Sequence, residues 1–312
     1  MAEDSSVLSD DGRNVYFFHG STGDMLGGLF QNGSISQANF IDMLNIALVV
    51  VPHPPAESRL LTVKARSGQI ISQSSQSLIP GDYDVYASDG DSIQINQEPF
   101  VRRLPSSNLR SREAADFQKG VQARDGKCVF TGIVNRRAHL NKWVGWEAAY
   151  IFPPEREDIW IENDFDRLIT GTESGGYSDR SAPIYSTRNG LLLQTTILQL
   201  FVEYSVSVNA DDGYKITSFI PDDMGVDGRI LDPVCRNPDE PNHVSDDLLR
   251  WHFRQSVLGN MRGAGEPSFE HDYPPGSDML KEILEGPYPN ERFEMELSSR
   301  LRGWEDPSGF VR

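Results

Sequence analysis

A chain of 312 residues can bury one large or two moderate cores. Its formal charge of −17 opposes approach to a phosphate backbone, and its longest strongly apolar run, Ile46–Val51, ends at Pro52, too short to span a bilayer. Two cysteines, Cys128 and Cys235, make neither a disulfide framework nor a metal-ligand spacing; with an acidic amino terminus lacking a hydrophobic signal region, they predict a soluble, cytoplasmic protein.

Residues 1–13 are polar. From Val15 to about Pro105 the pattern is rich in strands: Val15–His19, Ile46–Val51, Leu60–Arg66, Gln69–Ser72, Tyr83–Ala87 and Ser92–Asn96. Turn signals such as Pro80-Gly81 and Ser88-Asp89-Gly90 separate them. A short helix over Gln37–Leu44 starts at Ser36, whose hydroxyl suits an N-cap. Arg103–Asn108 reads as a linker. A helix over Ser111–Arg124 follows, with Ala114, Phe117, Gln118 and Val121 toward the interior.

Beyond it, Ala149–Phe152 reads as a buried strand, and Asp158–Thr170 as one inserted helix stopped at Gly171. Thr172–Arg180 is a Gly/Ser-rich loop, placed as a mobile lid. Leu193, Ile197, Leu200 and Phe201 form a helical stripe, with Leu198 one position off it. Glu203–Val208 and Tyr214–Ile220 flank a turn and predict a hairpin. Asp246–Met261 carries apolar residues at helical spacing up to the breaker string 262–267. Two shorter helices, Asp278–Leu284 and Glu291–Leu301, close the chain. The fold class expected is α+β: an N-terminal β-rich domain over 1–105, a second domain over 106–230, and a C-terminal helical segment over 231–312.

Three stretches carry a resemblance: Arg124-Asp125-Gly126-Lys127-Cys128-Val129-Phe130-Thr131-Gly132, Trp146-Glu147-Ala148-Ala149-Tyr150-Ile151-Phe152, and Asn189-Gly190-Leu191-Leu192-Leu193 running on to Phe201. Together they resemble the fungal branch of the HNH endonuclease family, as do the segments 27–34, 80–86, 249–255 and 260–267. The resemblance implies a ββα-metal unit at roughly 125–205. It also implies that Tyr150 stands in the slot of the general-base histidine and Leu198 in that of a metal-binding histidine, with Asn189 retained. A phenol with a pKa near about 10 is a poor base at neutral pH, and Leu198 offers a metal no lone pair. Hydrolysis of nucleic acid is therefore not expected, and no metal or cofactor is assigned.

Emptying such a site leaves Tyr150 and Asn189 as polar groups able to act on a substrate. Trp146, Phe152, Leu198, Phe201 and His252 are then candidates to line an apolar site for a small organic molecule. Leu198 either fills the old pocket or lines it, and Tyr150 reads equally as a core strand residue. His252 also reads as a satisfied core histidine. Such a site suits a cofactor-free cyclisation, in its sharpest form a [4+2] closure of a terpenoid or polyketide in fungal secondary metabolism. The alternatives are a pseudonuclease acting as a binding or regulatory module, and a residual nuclease using a relocated histidine such as His139 or His252. Between Arg102 and Lys142 ten Lys and Arg face three acids. That local excess reads either as a remnant DNA-facing surface or as a solvated helix and loop. The cluster Glu270-His271-Asp272 reads as a solvated loop or a weak metal site.

Overall fold

Alternation builds the first strand. Val15 and Phe17 are fully buried while Tyr16 and Phe18 stay half-buried, so β1 (Val15–His19) puts one face into a core. In the computed structural model, which describes residues 12–51, 61–87, 92–101, 103, 111–170 and 183–263, that strand is an inner strand of an N-terminal sheet. It pairs antiparallel with β2 (Met25–Leu29). Next come α1 (Gln37–Ala47) and β3 (Leu48–Val51), then β4 (Thr62–Ala65), β5 (Ile70–Ile71), β6 (Gly81–Tyr86) and β7 (Ser92–Ile95). The five-stranded sheet runs β2-β1-β6-β4-β5, with β1 and β6 parallel, and β3 pairs separately with β7.

Ser36 does cap α1: its Oγ accepts from Asn39 N at 3.1 Å, and Asn39 Oδ1 accepts from Ser36 N at 3.1 Å. The helix continues to Ala47 because Phe40, Met43, Leu44 and Ala47 share its buried stripe. The strand expected from Ile46 therefore begins only at Leu48. Strand β2, with Gly27-Gly28 at its middle, was not among the expected elements. The glycines serve a docking contact. A Cβ on Gly27 would lie 1.9 Å from Met261 O, and Gly28 N donates to that same carbonyl at 3.0 Å.

The second half is built on an antiparallel hairpin followed by a helix. After α2 (Arg112–Asp125), capped by Ser111 and stopped by Gly126 at φ 63°, the chain forms β8 (Trp146–Tyr150). Helices α3 (Glu157–Glu162) and α4 (Arg167–Thr170) intervene before β9 (Gly190–Gln194) and α5 (Thr195–Val202). β8 and β9 pair from Trp146↔Gln194 to Tyr150↔Gly190. The single helix expected over Asp158–Thr170 is split. Asp164 has φ 51°, and the Trp160 indole donates to Asp166 Oδ1 at 2.6 Å across the break. Leu193 belongs to β9 and not to the helix stripe, which Ile197 and Phe201 carry. Gln118 is exposed, and Gln122 is the buried amide of α2.

The hairpin β10 (Val206–Asn209) and β11 (Lys215–Ser218) leads to α6 (Asp246–Asn260). That helix serves two cores at once. Leu248 and Leu249 pack among Phe130, Phe152, Leu191 and Phe201, while Phe253, Val257 and Met261 pack among Phe17, Phe40 and Val85. All described residues accordingly fall in one unit that joins 1–103 to 109–266. The linker residues 104–108, the loop 172–180, Glu270-His271-Asp272 and the two last expected helices lie outside the described residues. Among the described residues no helix is long and apolar enough to cross a membrane.

The Gly27 contact gives a direct test. Gly27→Ala forces β2 off the end of α6, because the obstacle is a backbone carbonyl. Chemical denaturation is expected to report a loss of about 2–4 kcal/mol; a loss below about 0.5 kcal/mol would mean that the junction yields freely.

Candidate functional site

Asn189 lies at the end of a short 3₁₀ turn, Thr187–Asn189, immediately before β9, and is fully buried. Its Oδ1 accepts from Phe152 N at 2.7 Å; its Nδ2 donates to Phe152 O at 2.9 Å and to Ile184 O at 2.8 Å. Ile151 N also donates to Asn189 O at 2.9 Å. The amide thus closes the base of the hairpin by mimicking a strand partner for Phe152. Both donor hydrogens are used internally, and no surface of the side chain reaches solvent. The expectation that Asn189 acts on a substrate is corrected on this geometry: it holds a loop.

Strand pleating separates the remaining residues. Trp146, Ala148 and Tyr150 point to one face of the β8–β9 pair, with Leu192 from β9, and meet Phe117 and Val121 of α2. Ala149, Leu191 and Leu193 point to the other face, against Ile197, Leu198 and Phe201 of α5. Tyr150 and Leu198, the two slots of interest, therefore lie on opposite faces of the hairpin. The Tyr150 ring stacks on Phe117 at 3.8 Å and 10°, a contact that the bare Gly190 opposite it permits. Tyr185 meets the same ring edge-on at 6.2 Å.

Two polar atoms on the α2 face have no hydrogen-bond partner among the described residues: the Tyr150 hydroxyl and the Trp146 Nε1, both buried. Burial pushes the phenol well above its ordinary range, with Tyr185 and Glu155 adding to the effect. It stays protonated and can only donate or accept a neutral hydrogen bond. Ala148, the small residue between the two large ones, remains half-buried. On this face of the strand the small Ala148 therefore lies between two large side chains whose polar atoms are unsatisfied among the described residues.

Phe152, Phe201 and His252 do not line a site. Phe152 is enclosed by Trp160, Phe165 and Trp251, with ring centroids 5.1, 5.4 and 4.6 Å away. Phe201 lies flat against the His252 imidazole at 3.8 Å and 3°. His252 Nε2 donates to Phe201 O at 3.0 Å, which leaves Nδ1 to accept from Ser207 Oγ at 2.7 Å. All three side chains are buried by protein, so their expected role as substrate contacts is corrected to core packing. Leu198 is half-buried at the edge of the same core. His139 is exposed in the loop before β8.

Two features escaped sequence reasoning. Arg124 and Asp125 form a buried pair, with Nε to Oδ1 at 2.6 Å and Nη2 to Oδ2 at 3.0 Å. Asp125 Oδ2 also accepts from Leu192 N at 2.8 Å, while Arg124 donates to Thr187 O, Gly190 O and Asn242 O. The pair fastens α2 to β9. Arg103 donates to Tyr150 O at 2.7 Å and to Ile151 O, which holds the exit of β8. The quoted motif contained Arg124-Asp125, but spacing alone gave no sign that they bond to each other and to the hairpin.

This part of the chain thus holds an antiparallel strand pair, a helix packed on one of its faces and an asparagine at its base. A family model described as HNH endonuclease matches residues 128–209, and one described as a domain of unknown function matches residues 12–91. No curated protein and no solved structure matches the chain. Residues 128–209 are thus an HNH-endonuclease-like domain. The slots that the resemblance assigns do not fit a cation here: Leu198 has no donor atom, and the buried Asn189 amide is engaged by the backbone of Phe152 and Ile184. Among the described residues no group of three or more His, Cys, Asp or Glu could hold a metal ion.

Asn189→Asp separates a tether from a ligand. A carboxylate would face two carbonyl oxygens without a hydrogen to offer, so a loss of about 3 kcal/mol or more is expected in denaturant titration. A ligand role predicts an unchanged midpoint. His252 supplies a second test. Burial and the Arg103 charge hold its pKa well below the usual imidazole range, so below about pH 6.5 the unfolded chain takes up a proton that the folded chain refuses. Stability should fall as pH drops from about 6.5, by about 1.4 kcal/mol per unit from this group. His252→Gln should remove that one-proton slope in pH-dependent unfolding; an unchanged slope would mean that His252 titrates alike in both states.

Proposed function

We propose that this HNH-endonuclease-like chain has given up phosphodiester hydrolysis. On this reading it binds an organic molecule bearing a hydrogen-bond acceptor against Trp146, Ala148 and Tyr150, and there promotes a cofactor-independent cyclisation of [4+2] type. The observation that carries the reading is the pair of buried, unpartnered donors on one strand face. Leaving a buried polar group unsatisfied costs about 1–3 kcal/mol. Two on the same face, with a small residue between them, mark a place where a ligand's acceptors would recover that energy. Of the residues expected from the sequence, this reading keeps Tyr150 and Trp146, which share the strand face toward α2.

A [4+2] closure forms two σ bonds from π electrons already in the substrate and releases no atom or proton. It needs a surface that holds a folded polyene near its reactive geometry, and a donor for the carbonyl that activates it. A phenol kept neutral by burial suits that role and is a poor base. The fungal resemblance favours a polyketide or terpenoid as substrate class. A non-catalytic binding or regulatory role is the second reading, favoured by the exposed basic loop Ile133–Val144.

Benzophenone, an aryl ketone that crosslinks on illumination, tests the proposed site. The label is expected on the peptide spanning 143–152, with Tyr150→Phe weakening binding about 5–20-fold. The same variant should leave the ligand-free protein as stable as before, or more stable by up to about 1 kcal/mol, because the lost hydroxyl had no partner. Labelling elsewhere, or unchanged affinity in Tyr150→Phe, overturns the site. Plasmid nicking in Mg²⁺ or Mn²⁺ that disappears in His139→Ala would support a hydrolase instead.

A further inference from the structure

The segment from Ile133 to Val144 inverts the usual order of inside and outside. Its amide residue turns inward: Asn135 is buried, donates from Nδ2 to Lys142 O at 2.8 Å and accepts at Oδ1 from Arg137 N at 3.0 Å. A bridge between Lys127 and Val134 ties the start of the loop. A 3₁₀ turn over Ala138–Leu140, ended by Asn141 at φ 54°, shapes its middle. The apolar residues turn outward. Ile133, Val134, Leu140 and Val144 are 50%, 57%, 56% and 76% exposed.

Four aliphatic side chains on one internally braced loop form a contact surface rather than scattered exposure. Arg136, Arg137 and Lys142 stand among them, and no acidic residue occurs between Asp125 and Glu147. None of the three cations has an ion-pair partner among the described residues. Whatever covers this loop must bring carboxylates and apolar surface together. A nucleic acid duplex supplies the charge, but its backbone gives four aliphatic groups little to pack on.

The chain itself carries the complement. Along α3 and the turn after it, Glu157, Asp158, Glu162 and Asp164 are exposed around Ile161, which is 69% exposed. Of these four acids Asp158 has an ion pair, with Arg156. We infer that the Ile133–Val144 loop is a self-association surface that docks on the acidic α3 ledge of a second copy of the chain. Opposite charge sets the register, and Val144, Leu140 and Ile161 supply the apolar contact.

Sedimentation velocity of the full chain at about 100 µM, in about 50 mM and about 500 mM salt, tests this. A species of twice 34.9 kDa is expected at low salt, shrinking toward the single-chain mass at high salt. The double variant Arg136→Glu/Arg137→Glu, and separately Val144→Asp, should stay at the single-chain mass with unchanged thermal unfolding, since these side chains are exposed. Mixing that double variant with Glu157→Lys/Glu162→Lys should restore a mixed dimer that neither forms alone. A chain that remains monomeric at low salt overturns the inference, as does a dimer indifferent to both loop variants. Retention of the monomer on phosphatidylserine vesicles or duplex DNA, lost in the double variant, would assign the loop to a membrane or a nucleic acid and overturn it equally.

Discussion

The second half of the molecule turns on one amide. Asn189 satisfies Phe152 on both its backbone groups and reaches Ile184 as well, so three chain segments meet at a side chain with no access to water. Removing such a group would strand several buried polar atoms, each costing about 1–3 kcal/mol. Everything the hairpin carries depends on that closure, including the position of Phe152 in its aromatic cage and the exit of β8 that Arg103 grips. Asn189 is thus committed to structure: both its donor hydrogens and its oxygen serve the backbone of neighbouring segments.

Sidedness is the second constraint. Lining up Tyr150 and Leu198 with two histidine slots suggested that they share a pocket. A strand turns successive side chains to opposite faces, and the register Tyr150↔Gly190 with Ala149↔Leu191 sends Tyr150 toward α2 and the partners of α5 the other way. Slot identity in a sequence motif carries no information about which face of a strand a side chain takes. Phe117, absent from that reading, decides the matter by stacking on the phenol over a glycine that leaves it room.

Local signals in the sequence were reliable where a single chemical group fixed an element. Ser36 and Ser111 cap their helices, Gly126 ends α2, and the β10–β11 hairpin lies between the expected flanks. What could not be read were features set by distant partners. The need for Gly27 is visible only once the Met261 carbonyl is placed against it. The expected helix over Asp158–Thr170 has adequate periodicity, but the Trp160 indole prefers Asp166 and breaks it. His252 was legible as either a core or a contact residue; only the parallel ring of Phe201 and the hydroxyl of Ser207 make it core.

Charge shows how local chemistry can run against a global average. A net −17 discourages contact with phosphate over the whole surface, yet the acids are absent between Asp125 and Glu147. Three of the ten cations counted between 102 and 142 are spent inside the fold: Arg103 on β8, Arg124 on Asp125 and β9, Lys127 on Asp232 at 2.6 Å. Part of the local excess is therefore internal wiring. Another part, Arg136, Arg137 and Lys142, stands on the Ile133–Val144 loop, where the accompanying side chains are aliphatic. Screening confines the reach of such a patch to about 8–10 Å at ordinary salt. It can thus attract a carboxylate-bearing apolar surface at contact range without changing how the acidic molecule as a whole meets a polyanion. Long-range repulsion and short-range capture then act on different partners, and that separation lets an acidic chain keep a basic contact surface.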